Sequence, residues 1–216
     1  MPIFVGAVQD GSIFLNIVKL KRLLGDEFKL EIDVNDDVFE MGAVQHHCFG
    51  TLKKPMAVWI LGGGVPKNYT LQGEPLLDQI LNVPTHGFDI DVQFCVDPVD
   101  NGALSSCPAG EGHTWGKVSA DSVATGSMYV HADVTAVFPW LAYALLSDPK
   151  MKRKPRRLYD SREDAVLTLQ NEVNKRRKKL AATIDYPMVD IEHVPGARKS
   201  SARKSRAGKR VSASRK

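Results

Sequence analysis

Cysteine is scarce in this chain: Cys48, Cys95 and Cys107 are the only three, and no two form a CxxC pair. An odd count without close spacing argues against a disulfide framework and against a structural zinc site, so reduced thiols and no bound metal are expected. No apolar run approaches the roughly 18 residues that a membrane span requires. Met1 leads straight into the strand-like MPIFVGAV, with no charged segment followed by an apolar core, so no signal peptide is expected and the protein reads as soluble and cytoplasmic. Aromatic residues make up only 7% of the chain, yet hydrophobic residues reach 43% of 216, which supplies one sizeable core and excludes a fully disordered protein. Residues 196–216 lack acidic side chains altogether and carry nine basic ones. With almost nothing to bury, that tail is expected to be disordered.

Charge is divided along the chain. Residues 1–149 hold 8 lysines and arginines against 18 acidic residues, whereas residues 150–216 hold 21 against 7. An acidic body attracts polycations through its summed field, and a basic end attracts nucleic acid or an acidic partner, weakly and without sequence preference. Charge alone does not choose between them.

Apolar runs at Ile3–Ala7, Met56–Leu61, Ile90–Phe94 and Met128–Ala132 alternate with helix-like stretches, the pattern of a parallel sheet with helices on both faces. Ile13, Ile17, Leu20 and Leu24 recur at helical spacing, as do Val38, Met41 and Val44, and Leu76, Leu77, Ile80 and Leu81 form a third apolar face. The expected architecture is α/β, a Rossmann-like sheet over residues 1–149. A basic linker and helix follow over residues 150–195, with Ser161 and Asp164 placed as a capping box, and the tail ends the chain. Ligand sites in such folds gather where strands end, beside helix N-termini.

The segment Glu111-Gly112-His113-Thr114-Trp115-Gly116-Lys117 is the richest in chemistry. A lysine in an apolar site is a nucleophile able to form an imine, a tryptophan face accepts a cation, and a carboxylate supplies its counter-charge. The bland alternative is a surface lysine after a turn, a core tryptophan and a helix-capping glutamate. His46-His47-Cys48 offers metal-ligand chemistry, but neighbours on a helix point in different directions. Asp89, Asp91, Asp97 and Asp100 suit a cation or a polyamine, with a solvated strand edge preferred for Asp89 and Asp91.

EGHTWGK resembles the glutamate, tryptophan and active-site lysine signature of deoxyhypusine synthases. Other pieces appear in that family's order: Val8-Gln9-Asp10-Gly11-Ser12, Leu61–Gly64 followed by Lys67, the Gly102–Ser105 loop, and Tyr129–Asp133 before Phe138-Pro139. The resemblance implies an NAD-dependent transfer of an aminobutyl group from spermidine or a related polyamine to a protein lysine or a free diamine. It implies that Lys117 carries the imine, and that Gly64, Gly102, Ala103, Leu104, Glu111 and Trp115 line the polyamine site. Asp10, Ala132 and Asp133 would touch NAD.

The chain departs from the family pattern in three ways. Asn68-Tyr69 stands where a histidine pair is expected, which leaves Tyr69 as the catalytic group in the base's place. A phenol with an ordinary pKa of about 10 is a poor base at neutral pH. Acidic positions have become Leu104, Asn101 and part of Ile13-Phe14-Leu15. An N-terminal half that supplies much of the dinucleotide contact in the family is expected to be missing, so a homo-oligomer, or a hetero-oligomer with that half, is expected. A non-catalytic polyamine- or NAD-binding subunit is the alternative. Removing residues 196–216 is expected to leave the melting temperature of the body unchanged, because the segment has too few apolar side chains to join a core. A drop of several degrees in a thermal scan would contradict this.

Overall fold

Three short runs rich in Val, Ile and aromatic side chains form the strands: β1 (Ala57–Leu61), β2 (Ile90–Cys95) and β3 (Ser127–His131). The computed structural model describes residues 2–151 and 158–184, so the tail and most of the basic linker lie outside the described residues. All pairing is parallel in the order β1-β2-β3, with Val58 opposite Asp91, Ile60 opposite Gln93 and Asp91 opposite Ser127. Parallel neighbours need long crossovers. The first holds helix α3 (Val65–Leu71) and the turns Gly73–Pro75 and Leu76–Ile80; the second holds α4 (Ala109–Thr114). The fold is mixed α/β, as expected.

The expected first strand does not form. Ile3 and Val5 are exposed, and among the described residues the 3–7 segment pairs with no strand of the sheet. The segment sits on α3 instead: the Phe4 ring lies 6.4 Å from that of Tyr69, and a Cβ at Gly6 would stand 3.1 Å from Tyr69 Cβ. Apolar β-branched composition makes a strand only where a ladder is available.

One face of the sheet is covered. Val58 and Ile60 point into a core with Phe49, Leu71, Leu77 and Phe88. α2 (Val34–His46), capped by Asp33 through the Asn35 and Asp36 amides, packs there. The C-terminal helix α6 (Arg162–Ala181) lies on α2, burying Ala165 and Leu169 while the Arg162 guanidinium forks onto both oxygens of Glu40. Ser161 stands at its N-cap, but its hydroxyl caps nothing, so the expected capping box is absent. The apolar stripe of α1 (Ser12–Leu24) forms as a helix yet buries no residue. On the opposite face, Trp59 meets Phe138 of α5 (Val134–Ser147) edge-on at 5.8 Å, while Trp140, Tyr143 and Leu146 of that helix stay exposed.

Among the described residues Glu74 is the most deeply buried acid, with the Thr85 hydroxyl donating to it. Burial pushes its carboxyl up to about 7, against the pull of that hydrogen bond. An unfolded glutamate ionises near its ordinary 4.5, so the folded state holds the proton more tightly. The associated stability is complete below that value and is lost as pH rises to about 7. Between these limits the wild-type protein is expected to lose about 3 kcal/mol relative to Glu74→Gln. Urea unfolding across this pH range checks it; parallel pH profiles for the two proteins would contradict it.

Candidate active site

The turn after α4 is built for close backbone contact. Gly116 adopts φ +74, and the Lys117 amide donates back to the Gly112 carbonyl at 3.0 Å. The strand approaching β2 then grips the turn: the Phe88 amide donates to the Lys117 carbonyl at 3.0 Å, and the Ser119 amide donates to the Phe88 carbonyl at 2.9 Å. At Gly87, φ +82, a Cβ would stand 2.8 Å from Val118 backbone atoms, so only glycine permits the approach. His113 Nδ1 lies 2.8 Å from the Val118 carbonyl, which fastens the turn to its own helix.

This seating carries Lys117 against α3. Its Nζ donates to Asn68 Oδ1 at 2.9 Å and lies 5.9 Å from the centroid of the Trp115 ring. Both residues border a cavity of about 200 Å³, with Leu104 on its wall, the exposed Glu111 at its mouth, and Lys67 and Asp91 as its buried charged members. Trp115, 57% exposed, stands at the mouth. The glycine loop is pinned from two sides. Gly102 takes φ +70, Asn101 Oδ1 accepts the Ala103 amide at 2.8 Å, and the Ser105 hydroxyl donates to Asp97. A Cβ at Gly64 would lie 3.3 Å from Leu104 Cβ, so the start of α3 and the glycine loop touch.

Lys117, Trp115, Glu111 and Leu104 therefore share one cavity; Gly102 and Ala103 precede Leu104 in the glycine loop and Gly64 meets it from the start of α3, but none of these three lines the cavity. Tyr69 does not join them. One helical step turns it from Asn68 into a neighbouring cavity of about 330 Å³ lined by Gly6, Val38, Met41 and Val65. Its hydroxyl is buried without a partner among the described residues. Burial, and then the nearby Asp37 and Glu40, push this phenol up, further from the range of a useful base. The residue that meets Lys117 is Asn68, an amide that accepts a hydrogen bond and takes no proton.

The residues expected at NAD lie elsewhere. Asp10 ends an exposed turn over Val8–Asp10, and the Ala132 amide donates to the Cys95 carbonyl at 3.1 Å. Asp133 caps α5, accepting from the Thr135 amide at 2.8 Å and from its hydroxyl; these bonds hold its carboxyl below the ordinary range. None of the three borders the Lys117 cavity.

Two further cavity residues receive no role from the motifs. Lys67 is buried, with its ammonium donating to Gln93 Oε1 at 2.8 Å and to the Cys107 carbonyl. Burial pushes its pKa down. Asp91, expected at a solvated strand edge, is 4% exposed and faces the same cavity. The signal is its register: Asp91 and Gln93 share the face that in β1 holds the buried Val58 and Ile60.

A family model for deoxyhypusine synthase matches residues 1–145. The chain belongs to the deoxyhypusine synthase family. It is 33% identical over 207 residues to a deoxyhypusine synthase-like protein of Nostoc punctiforme, covering 96% of this chain and 49% of that protein. It is 34% identical over 145 residues to a "Probable deoxyhypusine synthase 2" of Methanosarcina mazei, covering 67% of this chain and 39% of that one. The chain thus spans about half the length, or less, of the curated relatives it matches. Within this family member, Gly87→Ala is expected to cost at least 1–3 kcal/mol and to unseat the Lys117 turn. Denaturant unfolding reads the first effect, and unchanged stability would show that the close approach is dispensable.

Proposed function

We propose that this chain contributes the imine-forming site of an NAD-dependent transferase. The reaction moves a 4-aminobutyl group from spermidine or a related polyamine to an acceptor amine, either a protein lysine or a diamine. The observation that carries the reading is the placement of Lys117 Nζ on Asn68 Oδ1, beside the Trp115 ring and in a cavity that also holds carboxylates. The Asn68 amide aims the Lys117 nitrogen. In its neutral form that nitrogen attacks the oxidised carbon of the polyamine; the bond from that carbon to the departing amine breaks, and a proton shed by the attacking nitrogen leaves with that amine. The Trp115 face and Glu111 hold the substrate's positive charge at the mouth.

NAD, when bound, supplies the hydride acceptor. The C-terminal edge of the sheet suits a dinucleotide, since Gly62 after β1 has φ +73 with open space where a Cβ would stand, and Ala132-Asp133 follow β3 on the same edge. Asp10, Ala132 and Asp133 would hold it. The uncovered apolar faces of α1 and α5 are the surfaces we assign to a second copy or to polypeptide matching the other half of the relatives.

Lys117→Arg is expected to abolish aminobutyl transfer while polyamine binding persists, because arginine keeps the charge but supplies no neutral amine. Trp115→Ala is expected to weaken polyamine binding by roughly 1–2 kcal/mol. Transfer assays with labelled spermidine, paired with binding measurements, separate the two effects. Wild-type transfer by Lys117→Arg would overturn the mechanism. Polyamine binding without transfer in the wild-type protein would favour a non-catalytic subunit, the reading that an amide in place of a base at Asn68 supports.

A further inference from the structure

The Asp91 carboxylate is buried in the floor of the Lys117 cavity, yet no described residue donates a hydrogen bond to it. Buried carboxylates in folded proteins are almost always paired or hydrogen-bonded, because an isolated one forfeits its hydration without return. Lys67 is the nearby cation, and its attraction favours the ionised form. Its ammonium, however, is drawn to the neutral oxygens of Gln93 and Cys107. The Gln93 amide is held in turn by donating to the Ser105 carbonyl, so this arrangement is braced away from Asp91. Burial accordingly pushes the Asp91 carboxyl up. The carboxylate has an open cavity on one side and an unused hydrogen-bonding capacity.

We propose that Asp91 is a specificity-determining residue that receives a second ammonium group of the substrate at the floor of the Lys117 cavity. The inference rests on the polyamine reading above and deepens it. With Leu104 at the wall, carboxylates remain at the mouth, Glu111, and at the floor, Asp91. A substrate with cationic groups at both ends satisfies both, and its apolar middle passes Leu104 and Lys117. A monoamine satisfies only one. The cavity therefore selects for a diamine or triamine through its most buried acid, and Trp115 and Glu111 add a contact that a monoamine also makes.

The test is calorimetric binding of spermidine, 1,4-diaminobutane and 1-aminobutane to the wild-type protein, Asp91→Asn and Asp91→Glu. Asp91→Asn is expected to weaken spermidine and diamine binding on the order of tenfold, the scale of one charge-assisted hydrogen bond. It should leave 1-aminobutane unchanged, and Asp91→Glu should restore part of the preference. If Asp91 serves only as a counter-charge for Lys67, Asp91→Asn will shift the melting temperature and leave the ratio of diamine to monoamine affinity intact, which overturns the proposal. Should Asp91→Asn fail to fold, Asp91→Ala carries the same comparison. Wild-type protein that binds none of the three amines would remove the polyamine reading itself, and this assignment with it. Tight spermidine binding that is indifferent to Asp91 removes only the assignment.

Discussion

The site depends on one backbone contact, the pairing of Phe88 with the Lys117–Ser119 segment at the entry to β2. Two hydrogen bonds and a glycine that allows no Cβ turn an exposed helix end into a fixed platform. Without it, Lys117 would be a long side chain after a turn, free to wave in water, and the bland reading of its motif would hold. With it, the amine is delivered to Asn68 across 49 residues of sequence. Placing a reactive group through packed backbone costs little at the moment of reaction, since the ordering is completed on folding.

The second constraint is the use of the sheet's inner face. In β1 that face is apolar and feeds the core; one strand over, Asp91 and Gln93 stand at the matching positions beside Lys67. A polar cluster there forgoes the burial energy that aliphatic side chains would contribute, and it leaves one carboxylate without a donor among the described residues. Such a departure from core composition is expected where a protein keeps a functional site. On the outside, α1 and α5 carry apolar stripes yet bury no side chain of their own.

Much of this was legible beforehand. Three strands fell within a residue of their expected limits because short apolar runs between helices leave few alternatives, and EGHTWGK brought Glu111, Trp115 and Lys117 to one cavity. What failed did so for tertiary reasons. Residues 3–7 have strand composition but no ladder to join. Tyr69 inherited a role by its place in the chain, whereas a helix step decides which of two neighbours faces Lys117, and that step favours Asn68. A solvated edge is preferred for Asp91 over a cation or polyamine site only when its acidity is weighed without the register that buries it.

The central claim is that Lys117 is placed to form an imine with an aminobutyl carbon. Brief exposure of the protein to 4-aminobutanal, followed by borohydride reduction and peptide mapping by mass spectrometry, tests this step directly and without NAD. The account predicts that a reduced 4-aminobutyl adduct accumulates on Lys117 well before the exposed lysines, and that Asn68→Ala slows its appearance. Labelling spread evenly over the surface lysines, with Lys117 no faster than the rest, would contradict it.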